Sequence, residues 1–170
     1  MTHIVIVGTS HPLQCGHSSV SPENIGSFEA EVRLLLQKHQ IVRITEEMDA
    51  DGLARHKVTE TIAERVAKEL GLEHQHLDLT RCERTALGLH DGPLFTIIDL
   101  YNPSDSGKSF RDALSILEAE IRERIWVHRI LATKSSPVLF ICGASHVEPL
   151  ARLWKLLGMP CDVAHYDYSA

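Results

Sequence analysis

Two short motifs of the same type lie near the two ends of the chain, and each places a histidine after an apolar run. Gly8-Thr9-Ser10-His11 follows the run from Ile4 to Val7, and Gly143-Ala144-Ser145-His146 follows the run from Pro137 to Cys142. In a parallel α/β sheet, ligands bind beyond the carboxyl ends of the strands. If both runs are neighbouring central strands, we expect His11 and His146 at the same edge of the sheet, although they are 135 positions apart in sequence.

Carboxylates follow a third apolar run. The run from Ile41 to Thr45 predicts a short strand, and Glu46-Glu47-Met48-Asp49 comes directly after it. An unpaired carboxylate is costly to bury, so we expect Glu46 and Glu47 at the edge of the sheet rather than in the core. Asp78, near the end of a further strand predicted at about Gln75 to Leu79, is a fourth candidate.

Two imidazoles and one or two carboxylates support two kinds of chemistry. They form a ligand set for a divalent metal such as Mn, Co or Zn, or for Fe, with His11, Glu47 and His146 as ligands and open positions for water. A bound metal would lower the pKa of that water, to about 7 in zinc enzymes, and so generate a nucleophile. Without a metal, a carboxylate orients a histidine that acts as general base on water. The sequence leaves both forms open.

The longest helical pattern of the chain adds a cationic candidate. Arg122, Trp126 and Arg129 are spaced at i, i+4 and i+7, which places them on one helix face. A guanidinium group there could clamp a carboxylate or stabilise a developing oxyanion. The competing interpretation is an exposed Arg122 that pairs with Glu118 or Glu123.

Composition limits the class of protein. The 170 residues, of which 44% are hydrophobic, fit one globular domain spanning 1–170. The net charge of -6 argues against binding to nucleic acid or to an anionic membrane surface, so the expected partner is a small-molecule or peptide substrate. The apolar run at the N-terminus is too short for a membrane helix or a signal peptide, and we expect a cytoplasmic protein. The oligomeric state stays open, a homo-oligomer included.

Apolar periodicity predicts the elements that position these residues. An alternation of strands and helices requires right-handed crossovers and an α/β, three-layer sandwich with a mainly parallel central sheet. On the longest helix, the predicted inner face carries Leu114, Leu117, Ile121 and Ile125. The predicted strands are 3–7, 41–45, 75–79, 137–142 and 162–166; the helices are 28–40, 52–70, 110–132 and 147–157; 9–27 and 103–107 are loops, and 81–96 and 97–100 are ambiguous.

The four cysteines and most of the histidines belong to no recognisable motif. The four cysteines include no Cys-x-x-Cys pair, so we expect free thiols, and Cys142 inside an apolar run is expected to be inert packing rather than a nucleophile. Seven of the eleven histidines are expected at the surface or satisfied in the core: His3, His39, His56, His74, His76, His90 and His128.

Together the motifs resemble the erythromycin-esterase/ChaN/TraB/GumN/TIKI superfamily, a group of divergent α/β hydrolases and ligand binders with two Gly-x-x-His motifs and an intervening acidic motif. The resemblance implies a compact member that hydrolyses an ester or a peptide/amide bond. It also implies that His11, Glu47, Arg122 and His146 are the functional set, with Glu46 as a helper. The matching segments are Gly8 to His11, Glu47-Met48-Asp49, Gly143 to Val147, and Arg122-Glu123-Arg124-Ile125-Trp126, in which Glu123 stands where the group has Asn or Asp.

Two other functions compete with the hydrolase. The segment Gly8-Thr9-Ser10-His11-Pro12-Leu13-Gln14-Cys15-Gly16-His17 is similar in spacing to the Gly-Thr-Phe-Asp-Pro-x-x-x-Gly-His loop of nucleotidyltransferases. That resemblance implies an ATP-binding protein in which His17 steadies a triphosphate. The superfamily also includes haem-binding members, which implies a non-catalytic haem or ligand-binding module as a third function.

Overall fold

The computed structural model of the protein describes residues 2–89 and 104–169. All neighbouring strands of its sheet are parallel, which confirms the predicted α/β class with a parallel sheet. The strands are β1 (Ile4–Thr9), β2 (Arg43–Glu46), β3 (Glu73–His76), β4 (Val138–Gly143) and β5 (Cys161–Tyr168). They lie in the order β3-β2-β4-β1-β5, so the two strands that carry the histidine motifs are neighbours near the centre.

Helices cover both faces of the sheet. They are α1 (His11–Gln14), α2 (Pro22–Lys38), α3 (Ala50–His56), α4 (Ile62–Leu70), α5 (Arg81–Ala86), α6 (Asp105–Ala132) and α7 (Val147–Leu156), and a 3₁₀ turn (Ala144–His146) precedes α7. Among the described residues, none of these helices combines the length and the apolar character that a membrane span requires.

Alternation along the strands creates two cores. Val5 and Val7 of β1 face α2 and α4, where Phe28 and Val66 are fully buried. Ile4 and Ile6 face α6 and α7, where the core includes Trp126, Ile130, Leu150 and Trp154. The β-branched runs that predicted the strands are therefore buried on both faces, as expected of a sheet between two helical layers.

The helices differ from their predicted bounds where local caps intervene. The predicted loop 9–27 contains α1 and the first six residues of α2, which begins after the N-cap Ser21. The predicted helix 52–70 is two helices, because Lys57 ends α3 in a left-handed conformation and Thr61 caps a new start. Helix α6 begins at Asp105, inside the predicted loop 103–107, while the ambiguous segment 97–100 lies outside the described residues.

The predicted inner face of α6 is only partly buried: Leu117 is half exposed, and Leu114, Ile121 and Ile125 have intermediate exposure. In the described part of this helix the buried side chains are those of Glu123, Trp126, Val127 and Ile130, nearer its C-terminal end. Among the residues described, the end that packs on the sheet is the C-terminal one. The apolar spacing of the preceding turns therefore predicted a different helix face from the one that is buried.

Gly8 is needed for the close approach of β5. A Cβ atom at this position would lie 2.1 Å from the carbonyl oxygen of Tyr166 and 2.5 Å from Cγ2 of Val147. Only glycine lets β5 and the start of α7 pass so close to the end of β1, which is the point where the chain turns towards His11.

Candidate functional site

The paired motifs meet at the carboxyl edge of the sheet. β1 and β4 are parallel neighbours, and Thr9 lies opposite Gly143 in their register. After β1, Ser10 accepts a hydrogen bond from the Leu13 N–H at 3.4 Å and so starts α1 with His11 as its first residue. After β4, the 3₁₀ turn brings His146 back over the same edge.

Glu47 lies at the centre of the cluster. Its side chain is 2% exposed, and Oε2 accepts a hydrogen bond from the Gly143 N–H at 2.7 Å. Oε1 accepts from Nη2 of Arg122 at 2.5 Å and lies 3.7 Å from His11 Nε2 and 3.5 Å from His146 Nε2. The structure therefore brings together four of the predicted site residues: His11, Glu47, Arg122 and His146.

The charge of Glu47 is stabilised by its neighbours. Burial alone would raise the pKa of this carboxyl group, but His11, His146 and Arg122 outweigh burial and lower the pKa to about 2. Glu47 in turn raises the pKa of His11 above its ordinary value, against the opposing effects of burial and Arg122. The result is a buried carboxylate that favours the protonated form of one imidazole.

Arg122 is held by two carboxylates. Besides Glu47, it donates to both oxygens of Asp78, each at 2.9 Å, and its guanidinium carbon lies 4.8 Å from the centre of the Trp126 ring. These contacts replace the pairing with Glu118 or Glu123 that the competing interpretation of Arg122 proposed. Arg129, predicted on the same face, donates instead to the backbone carbonyls of Leu77 and Asp78.

His146 is oriented by a residue that the sequence did not single out as functional. Its Nδ1 donates to Oε1 of Glu123 at 2.7 Å, because a carboxylate can only accept, and its ring lies edge-on against Trp126 at 5.0 Å. Glu123 is 3% exposed. The bond to Glu123 fixes the ring so that Nε2 of His146 lies 3.5 Å from Oε1 of Glu47, in the arrangement of a general base oriented by a carboxylate.

His11 is held differently. Its side chain is 42% exposed, although Nε2 itself is buried and makes no hydrogen bond within the described part of the chain. The two imidazoles of the cluster thus have different environments. One is buried and fixed by Glu123, while the other is partly open and attracted to Glu47.

A cleft of about 500 Å³ opens beside His146 between α6 and α7. Both charge signs are present in its wall, so it suits a polar substrate. The lining residues are Arg84, Ser115, Ile116, Glu118, Ala119, Glu120, Arg122, Glu123, Ser145, His146, Pro149 and Arg152.

Glu46 does not join this cluster, which corrects its predicted role as a helper of the two motif histidines. Its side chain is fully buried on the other face of β2 and accepts hydrogen bonds from Gln14 Nε2 at 2.7 Å, from His74 Nε2 at 2.7 Å and from the Thr61 hydroxyl. Glu46 is the last residue of its strand, so its side chain points to the same face as Ile44.

The group that could hold a metal ion is also not the predicted one. Within the residues that the structure describes, the His/Glu group whose donor atoms all lie within 4.8 Å of one another is Glu46, His74 and His76. The predicted ligands His11, Glu47 and His146 are not such a group among the described residues, and Oε1 of Glu47, the oxygen nearest to both imidazoles, already accepts a hydrogen bond from Arg122.

The other candidates from the sequence lie apart from the cluster's contacts. Cys142 is fully buried, and burial raises the pKa of its thiol well above the ordinary value, which makes it a poor nucleophile. His17 Nδ1 accepts a hydrogen bond from the Ser19 N–H at 3.1 Å, and its ring lies 5.8 Å from that of His56. The nucleotidyltransferase and haem functions stay predictions.

Comparisons with protein-family models, with curated proteins and with solved structures give no match to this chain. The superfamily resemblance of the sequence therefore stays a prediction.

Proposed function

We propose that the protein is a hydrolase of ester or peptide/amide bonds that uses His146 as general base. The observation that carries the proposal is the pairing of Glu123 with Nδ1 of His146 at 2.7 Å, which leaves Nε2 available beside a cleft. A positioned base of this type contributes about 10²- to 10⁴-fold to the rate of a reaction.

In this proposal the two imidazoles divide the acid and base roles. His146 takes a proton from water, and the water attacks the carbonyl carbon of the substrate. His11 is the matching acid, because Glu47 raises its pKa and so favours the form that can donate a proton to the leaving group.

Arg122 and Glu47 position the site. Arg122 bridges Glu47 and Asp78, so it is preorganised and its Nη2 is fixed at 2.5 Å from Glu47. A guanidinium group held in this way stabilises negative charge on a substrate without rearranging during the reaction. Its position on the wall of the cleft suits a substrate with a carboxylate or a developing oxyanion.

The metal-free form of the chemistry is the one we propose. A divalent cation on His11, Glu47 and His146 would share Oε1 of Glu47 with the guanidinium group of Arg122, and the two positive charges would repel each other. The similarity of the paired histidine motifs to the erythromycin-esterase/ChaN/TraB/GumN/TIKI superfamily supports a hydrolase.

The proposal is tested with a panel of p-nitrophenyl esters of increasing acyl length and a set of fluorogenic peptides and amides, each assayed with and without EDTA. We expect turnover in EDTA that falls at least about 10²-fold in His146→Gln. His128→Gln is the matched control, because His128 is exposed on α6. No turnover of any substrate by the wild type, or equal rates for His146→Gln and the wild type, would contradict the proposal.

A further inference from the structure

Beneath the proposed hydrolytic site, a second cluster of metal-binding side chains lies between β2, β3 and α4. His74 and His76 are two residues apart on β3, so both imidazoles point to the same face of the sheet. Glu46 lies opposite His76 in the register of β2 and β3 and faces the same way. We propose that Glu46, His74 and His76 bind a divalent transition-metal ion, Zn²⁺ first, at a site independent of the proposed hydrolase chemistry.

The distances fit a site that closes slightly around an ion. The donor atoms of the three residues all lie within 4.8 Å of one another. The ligands of a tetrahedral zinc ion, at about 2.0–2.2 Å from the metal, lie roughly 3.4 Å apart. Side-chain rotations that move the donor atoms by about an ångström are therefore enough to form the site. The rings of His74 and His76 already meet edge-on, with 4.8 Å between their centres.

Unpaired polar atoms at this cluster give the second observation. Within the described part of the chain, Nε2 of His76 and Oε2 of Glu64 are both buried and make no hydrogen bond, although they face each other at 3.5 Å as an ion pair. Buried polar atoms without partners are rare because each costs free energy. A metal ion on His76 Nε2 removes this cost, and Glu64 supplies a fourth donor from α4.

The charge of Glu46 supports a cation at the same place. This carboxylate is 0% exposed, and its hydrogen-bond partners among the described residues are Gln14, Thr61 and His74. Two of these donors are neutral, whereas Glu47 next in sequence is paired with Arg122. A buried carboxylate is normally compensated by a full positive charge. Zn²⁺ supplies it by binding Nε2 of His74 in place of the proton that is donated to Glu46, and that proton is released to the solvent.

The donor set points to zinc rather than to magnesium or calcium. Imidazole nitrogen suits Zn, Ni, Cu and Co, whereas Mg²⁺ and Ca²⁺ prefer oxygen ligands. The site also ties α1 to the sheet, because Gln14 of α1 donates to Oε2 of Glu46 at 2.7 Å.

The test uses the full chain without a histidine tag, stripped with a chelator and titrated with ZnCl₂ against a chromogenic zinc chelator. We expect one zinc per chain in the wild type, and a loss of affinity of at least tenfold in His74→Gln and in His76→Gln. His146→Gln and His128→Gln are the controls and should keep the stoichiometry of the wild type. Circular dichroism shows whether each variant is folded.

X-ray absorption of the zinc-loaded wild type tests the ligands directly, without any variant. The site predicts nitrogen and oxygen ligands at about 2.0–2.2 Å and no zinc–sulfur distance near 2.3 Å. The proposal is overturned by a sulfur ligand, by the absence of a bound equivalent, or by zinc uptake that is lost in His146→Gln but kept in His76→Gln.

Discussion

Replacing Glu47 with glutamine removes the one charge that contacts His11, Arg122 and His146 together. Glu47 is 2% exposed, and its pKa is about 2 against 4.5 for an ordinary glutamate. At about 1.36 kcal/mol per pKa unit, this difference corresponds to roughly 3 kcal/mol of folding free energy at neutral pH. Arg122 keeps its hydrogen bonds to Asp78 in the variant and is not left unpaired. We therefore expect Glu47→Gln to lose about 2–3 kcal/mol.

The loss should depend on pH in a defined direction. The folded-state pKa of Glu47 lies below 4.5, so its charge stabilises the fold above pH 4.5 and this contribution is lost as the pH falls towards 2. The pKa of His11 is raised above 6.5, so its attraction to Glu47 contributes fully below pH 6.5 and is lost as the pH rises through the raised value. The difference between wild type and Glu47→Gln should be largest between about pH 5 and 6.5.

Urea unfolding at pH 3, 6 and 8, followed by the fluorescence of the buried Trp126 and Trp154, measures this difference. The matched control is Glu120→Gln, which removes a half-exposed carboxylate paired with Arg124 at 3.4 Å and should stay within about 0.5 kcal/mol of wild type. A loss in Glu47→Gln below about 1 kcal/mol at pH 6, or one of equal size at pH 3 and pH 6, would refute the reasoning.

Three further predictions follow from the structure. Gly8→Ala should lower the free energy of unfolding in urea by about 3 kcal/mol, because its Cβ would overlap the Tyr166 carbonyl. Gly26→Ala is the control: no atom lies within 4 Å of its new Cβ, so it should raise the free energy of unfolding by up to about 1 kcal/mol, and equal effects of the two variants would contradict this. Iodoacetamide should label the exposed Cys82 and spare Cys142 in the folded protein, and mass spectrometry that finds Cys142 labelled first would show the burial to be wrong. Glu123→Gln should lower kcat about 10²-fold with KM nearly unchanged, since it disturbs the tautomer of His146; an unaltered kcat would exclude the orienting role.

The approach of His11 and His146 could be predicted because it depends on β1 and β4 being neighbouring parallel strands. Apolar runs identify buried strands, and the residue types after each strand show which side chains reach the edge. In the structure, Thr9 and Gly143 lie side by side, and Glu47 donates its backbone N–H to the Ile141 carbonyl at 2.8 Å. The apolar runs and the residues that follow them were therefore sufficient to predict that the two motif histidines lie at the same edge of the sheet.

The separation of Glu46 from Glu47 required knowing where β2 ends. Glu46 still obeys the alternation of the strand and faces α4 with Ile44, whereas Glu47 has left the strand and turns to the other histidines. A one-residue difference in the strand boundary reverses which carboxylate reaches the site. Periodicity cannot set boundaries that finely.

The sequence motifs did not assign a functional role to Glu123, His74 or His76. Glu123 contacts His146 because the C-terminal half of α6 packs over β4, which is a tertiary contact; its local signal was its place in the Arg122 to Trp126 motif, where the superfamily has Asn or Asp. His74 and His76 carried a usable signal, because the spacing of two on a strand places both imidazoles on one face. They were expected to be unremarkable surface or core histidines.

In the proposed mechanism His11 and His146 act as one catalytic unit, and a double-mutant cycle on kcat/KM tests this most directly. His11→Asn, His146→Gln and the double variant are compared with wild type on the best ester or peptide substrate. Residues that act as a unit give strongly non-additive losses, so the double variant should be little slower than the slower single variant. Losses that multiply, or a double variant that retains the wild-type rate, would contradict a shared site.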